Sequence, residues 1–151
     1  MLVALSAPFM TGMIVDNRVA NVTREVYSSL MLARSEAVKR QHTISLCSTI
    51  DGVSCDETNA GWHHGWLIFT DESQDGLING TDQLLRRVGN QSDLVRIVWN
   101  RGFTVSFNSR GQTSTAGTFE VCDSSVAEAF VKAVVISMTG RLRFEDRTMC
   151  S

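Results

Sequence analysis

VDNRVANVTREVYSSLMLARSEAVKRQHTISLC, residues 15–47, contains the change of period that decides the fold. Val15, Val19, Val22, Val26, Leu30, Ala33 and Ala37 advance in steps of three and four, which draws one apolar stripe along an α-helix. Asp16, Arg18, Arg24, Glu25 and Arg34 lie off that stripe and read mostly as a solvated face. Leu32, Ala33, Glu36 and Ala37 are good helix formers, and Lys39-Arg40 suits the negative end of the helix dipole. After Gln41 the period drops from 3.6 to 2, and Thr43-Ile44-Ser45-Leu46-Cys47 alternates as a strand does. The stretch is therefore a long amphipathic helix running into a β domain.

Outward from it, strand patterns recur to the end of the chain. Gly65–Phe69, Leu94–Trp99, Phe103–Phe107, Gly117–Cys122, Phe130–Met138 and Arg141–Phe144 read as strands, with Leu84–Val88 a weaker one. Turn chemistry separates them: Asp71 to Gly76, Asn79-Gly80, Asn100-Arg101-Gly102 and Ser109 to Gln112. One helix followed by about seven short strands predicts an α+β fold, a helical spine packed on antiparallel sheet. Residues 1–41 form the helical part and residues 42–151 the β-rich globular part. Met1 to Ala7 is apolar, but no run of about 18 apolar residues follows it.

With 151 residues, 43% of them hydrophobic and 20% charged, the chain suits one packed domain and is too apolar for disorder. A net charge of −2 rules out a global positive field drawing it to nucleic acid. The distribution is less even than the total. Residues 43–110 carry five arginines against eight acids, whereas residues 132–151 carry Lys132, Arg141, Arg143 and Arg147 against Glu145 and Asp146. An acidic middle thus masks a basic tail.

Four cysteines allow three disulfide connectivities. Nearness in sequence favours Cys47 with Cys55, which leaves Cys122 to tie down the tail through Cys150. Free buried thiols are the competing reading; a zinc site is the weakest, since no C-x-x-C pair occurs. Disulfides would place the domain in an oxidising compartment.

Several of these segments resemble one family in the same order. Leu32-Ala33-Arg34-Ser35-Glu36-Ala37-Val38-Lys39-Arg40, Thr43–Cys47, Gly65–Asp71, Phe103–Gly111, Gly117–Asp123 and Val135–Arg141 are similar to the successive motifs of minor pilins of the FimT/FimU type and the related type II secretion pseudopilin GspH. The resemblance implies a pilin-like fold, a long N-terminal helix on a GspH-like β-sandwich. It implies other major and minor pilins as partners through that helix, and no cofactor or catalysis. It also implies an inner-membrane subunit with a periplasmic domain, displayed at the cell surface once assembled. Leu2 to Pro8 resembles the second half of the family's hydrophobic helix. The chain is therefore expected to lack the leader and first hydrophobic half, with Met1 as an added start. The upper helix, with Val15, Val19 and Val22, is expected to pack among neighbouring subunits in a filament.

The resemblance also marks the tail. Gly140-Arg141-Leu142-Arg143 matches the G-R-x-R motif with which FimT-type pilins contact DNA in natural transformation. Strand alternation supports the idea: with Leu142 and Phe144 inward, Arg141 and Arg143 point outward together, about 6.8 Å apart. With Arg147 nearby, such a pair grips phosphates of double-stranded DNA weakly and without reading bases. The competing reading is a charged strand edge that discourages aggregation, with Glu145 and Asp146 as internal ion-pair partners. At the level of function, a structural pilin, a DNA-capturing pilin and a secretion pseudopilin all remain open.

Other constellations are weaker. His63-His64, taken as strand residues on opposite faces, make a poor metal site. Asp71, Glu72 and Asp75 before Gly76 lack the spacing of a calcium loop. Trp62, Trp66 and Trp99 read as core. No metal site, nucleophile elbow, P-loop or dinucleotide fingerprint is present.

Overall fold

The computed structural model describes residues 3–91, 93–123 and 131–147, with side chains from residue 17 onward. Helix α1 spans Val3–Arg40 and continues through Pro8, whose missing N–H removes only one of its many hydrogen bonds. Its end has an identifiable cause. Gln41 takes a left-handed φ of 57°, and the His42 N–H donates to the Ala37 carbonyl (3.3 Å). This is the six-to-one bond of a Schellman cap, here without glycine. The Gln41 side chain adds a bond from Nε2 to the Val38 carbonyl.

Among the described residues eight strands follow: β1 (Ile44–Ser48), β2 (Trp66–Thr70), β3 (Leu84–Val88), β4 (Val95–Trp99), β5 (Thr104–Phe107), β6 (Gly117–Asp123), β7 (Val131–Ile136) and β8 (Leu142–Arg147). They form two antiparallel four-stranded sheets, ordered β3-β2-β1-β5 and β4-β6-β7-β8. Helix α1 touches strands of both sheets, so its apolar stripe closes a shared core. That core joins Val19, Val22, Val26, Leu30, Ala33 and Ala37 to Ile44, Leu46 and Ile68 of one sheet and to Ile97, Phe119, Val121, Val134 and Ile136 of the other. All three tryptophans are buried in it. Trp66 Nε1 donates to Ser29 Oγ (3.0 Å) and Trp62 stacks edge-on against Phe119, so each large ring has both packing and polar satisfaction.

The expectation that Val19 and Val22 pack between subunits is corrected here. They are 0% and 6% exposed within this one chain. The sandwich covers the stripe up to Val19, about two turns above Val26. Arg18, expected in solvent, reaches across it to Asp123 at 2.7 Å. The Val15 side chain lies outside the described residues, and so does Cys150. The Cys47–Cys55 bridge is present, with Cα atoms 5.5 Å apart. Cys122 is disulfide-bonded as well.

The alternation read in Thr43–Cys47 proves to be only half of the arrangement. Every residue of β1 is buried. Ile44 and Leu46 face the main core, while Cys47 joins Leu67 and Phe69 in a second cluster with Cys55, Ile78 and Phe103. The loops after β1 and β2 supply that cover. Among the described residues, no helix is long and apolar enough to cross a membrane.

Candidate functional site

The sheet built around β6 and β7 has one face on the core and one that faces away from α1. Phe119, Val121, Val134 and Ile136 point inward; alternation therefore sends Thr118, Glu120, Val135 and Arg143 to the outer face. The β6–β7–β8 register places Val135 opposite Thr118 on one side and Arg143 on the other. Strand β8 is the sheet's outer strand, paired only to β7.

The turn from β7 into β8 positions the first arginine. The Gly140 N–H donates to the Ser137 carbonyl (2.9 Å), and the Ser137 N–H donates to the Arg141 carbonyl (3.0 Å). Gly140 itself has φ +83°. This is a three-residue hairpin loop whose last position needs the left-handed region, which glycine enters without strain. A Cβ at Gly140 would lie 1.8 Å from the Gly111 carbonyl oxygen. That carbonyl accepts a hydrogen bond from Arg34 Nε of α1 (3.1 Å). Arg34, expected in solvent, thus ties the β5–β6 loop to the helix, and the Thr113 N–H of that loop donates to the Met138 carbonyl of the turn (3.1 Å). Gly140 is buried, so its expected place in a DNA contact is corrected. It shapes the turn that presents Arg141.

Arg141 and Arg143 do come together. Both are exposed and line one shallow depression on the outer face. Strand β8 begins at Leu142, so Arg141 belongs to the turn and Arg143 to the strand. Leu142 packs against the core, and Phe144 stacks on Tyr27 of α1 with centroids 4.5 Å apart.

A third cation joins them that the sequence reading had taken only as turn chemistry. Arg101, in the turn between β4 and β5, lines the same depression. Its Nε donates to the Ala116 carbonyl (2.9 Å), which fixes the guanidinium at the rim. Asn100 Oδ1 accepts from the Thr118 N–H (2.9 Å) and locks that turn against β6. No carboxylate among the described residues lines the depression. Among the described residues, neither Arg101 nor Arg141 pairs with an acid.

Arg147 differs, and its expected role as a free cation beside the pair is corrected. It sits 3.5 Å from both Glu120 and Glu145, half-buried on the same face. Glu145 also pairs with Arg143 at 3.3 Å. Lys132 is held by Asp146 at 3.1 Å on the other face.

The weaker candidates have structural roles. His63 and His64 lie in a short 3₁₀ turn, Trp62–His64, not on a strand, and their rings meet at 4.4 Å. Burial pushes the His63 imidazole below its usual value, and the charge of His64 adds to the shift. Asp71 accepts from Ser45 Oγ (2.7 Å) and from the Gly76 N–H (2.9 Å). Asp75 accepts from Asn79 and from the Leu77 N–H; the Asn79 bond leads the effects that hold its carboxyl down at about 2. These carboxylates organise the 71–82 loop. No group of three metal-ligating side chains occurs among the described residues.

A helix on two antiparallel sheets with this order of motifs has known relatives. The family model described as "Type II transport protein GspH" matches residues 22–140. The chain belongs to the GspH family. Its members are pilin and pseudopilin subunits of type IV pili and type II secretion systems, which assemble with other pilins. Among solved structures, it is similar to the type IV minor pilin FimU of Pseudomonas aeruginosa in two crystal forms. One has a TM-score of 0.67 at 20% identity, covering 89% of this chain and 96% of that one. The other has a TM-score of 0.63 at 20% identity, covering 87% and 99%. The minor pseudopilin EpsH of the Vibrio cholerae type II secretion system follows, with a TM-score of 0.58 at 13% identity, covering 85% and 97%. At these identities the likeness is one of fold. No curated protein matches by sequence.

Proposed function

We propose that this GspH-family subunit is a minor pilin of a type IV pilus, placed at or near the tip, that holds double-stranded DNA through Arg141 and Arg143. One observation carries the reading: arginines from two separate turns and a strand line one depression with no carboxylate among its described lining residues. Arg101 is the third member. The site faces away from α1, so helix packing in a filament leaves it open. The floor of Ala116, Thr118 and Val135 offers no aromatic surface for unstacked bases. Guanidiniums on such a floor suit the phosphates of a duplex, gripped without sequence preference.

The subunit's setting belongs to the same proposal: the inner membrane with a periplasmic domain before assembly, and the pilus surface afterwards. A type II secretion pseudopilin is the second reading, favoured by the description of the matching family model.

The test is duplex binding by fluorescence anisotropy across a salt series. Three phosphate contacts predict log K falling with log salt at a slope of about −2.7. Replacing Arg141 and Arg143 together by alanine should weaken low-salt binding about tenfold or more and bring the slope near −0.9. Absence of wild-type binding at low salt, or an unchanged double variant, would overturn the DNA reading. Restoration of secretion but not of pilus assembly, in cells lacking each system's own minor subunit, would favour the second.

A further inference from the structure

We infer that Glu145 is a built-in competitor for the phosphate site, a side chain that holds part of the arginine cluster out of use. The inference rests on the DNA reading and concerns how that same site is regulated. Strand β8 places Arg143, Glu145 and Arg147 at alternate positions, hence on one face, in the order plus, minus, plus. Glu145 reaches both neighbours, with Oε2 3.3 Å from Arg143 Nη2 and Oε1 3.5 Å from Arg147 Nε. Glu120, two strands away, takes Arg147 Nη1 at 3.5 Å.

The outer face therefore has two populations of cations. Arg101 and Arg141 line the depression without an acidic partner among the described residues. Arg143 is shared between the depression and Glu145, and Arg147 is held between two carboxylates. For a phosphate to engage Arg143 fully it must displace Glu145, and the carboxylate also repels the incoming anion at short range. Both effects weaken binding, although Glu145 itself makes no contact with DNA in the engaged state. The pairs lie at the surface with side chains 34–65% exposed, so exchanging one partner for another is inexpensive. Such a carboxylate keeps a non-specific contact weak and reversible at a chosen level.

The test is the salt series repeated with Glu145→Gln, which keeps shape and hydrogen bonding but removes the charge. Low-salt affinity should rise about threefold to tenfold while the slope stays near about −2.7, since the same three phosphates are engaged and only the competition from Glu145 is removed. Glu57→Gln, at an exposed position on the β1–β2 loop, makes the same change of net charge elsewhere. It should leave low-salt affinity within about twofold of wild type. If Glu145→Gln and Glu57→Gln raise affinity equally, or Glu145→Gln weakens binding toward the level of Arg143→Ala, the inference fails while the DNA reading stands. In the second case Glu145 would be positioning Arg143 for the contact. If wild type and Glu145→Gln both fail to bind at low salt, both readings fall. Equal melting temperatures for wild type and variant ensure that binding, and not folding, is compared.

Discussion

The two sheets are built alike and used differently. Each has four antiparallel strands with one face on the core beneath α1. The second face of the β1–β2 sheet is roofed. The loop after β1 is stapled by Cys47–Cys55, the 71–82 loop is tied down through Asp71, and a small second core of Cys47, Leu67 and Phe69 lies beneath them. The second face of the β6–β7 sheet is buried at Glu120, Cys122, Val131 and Ala133 and, among the described residues, exposed around Arg141 and Arg143, where it carries charges. Connection length makes the difference. The segments leaving β1 and β2 are long enough to fold back, whereas β4 to β5 and β7 to β8 are joined by short turns. A covered face contributes stability, and the exposed patch around Arg141 and Arg143 stays accessible to solvent.

The largest way to break this contrast is at Gly140. Gly140→Ala meets the Gly111 carbonyl and a left-handed φ together. It should cost about 2–4 kcal/mol in chemical denaturation and disorganise the turn that presents Arg141. Gly80→Ala, where φ is +57° and nothing lies within 4 Å of the added Cβ, should cost only about 1 kcal/mol. Next in size is the staple. Replacing Cys47 and Cys55 together by serine opens a loop of sequence separation 8 and should cost about 2–3 kcal/mol. DNA affinity should stay unchanged, because the bridge lies on the roofed side. Loss of affinity in that folded variant would show that the two faces are coupled.

The smallest effect is set by His63. Its folded-state value lies below the usual 6.5. Between those two values the unfolded chain binds more protons, so stability rises with pH there and is lost as pH falls through the folded value. Thermal melts between pH 5 and 7.5 should show this decline, and His63→Gln should flatten it. DNA binding at constant salt should not follow the same curve, since guanidiniums stay charged throughout.

The sequence made the helix legible because its stripe persists over many turns, and it made most strands legible through alternation and turn residues. It also showed that Arg141 and Arg143 belong together, since they are two residues apart. What it hid was long-range. Periodicity says which side chains share a face but not what covers that face. Hence Ser45 and Cys47 looked like the outer side of a strand and are buried, and Val19 and Val22 looked available to neighbours and are core. Arg18 and Arg34 looked solvated, yet each finds a partner about a hundred positions or nearly eighty positions away. Arg101 was invisible as a site residue because only sheet pairing brings the β4–β5 turn beside the β7–β8 turn. Glu145 was visible as an ion-pair partner, but its double engagement needed coordinates.

The Arg34 clamp also defines a load path. Helix α1 is joined covalently to β1, a strand flanked on both sides by β2 and β5. A pull entering along the helix therefore reaches the roofed sheet through the chain itself. The β4-β6-β7-β8 sheet lies farther along the chain; packing and the Arg18–Asp123 bridge tie it directly to the helix, and the bond from Arg34 to Gly111 acts through the β5–β6 loop beneath Gly140. A pull between the arginine face and the helix would cross those ties in shear, and Arg34 would act as a rivet between the helix and the loop that supports the β7–β8 turn.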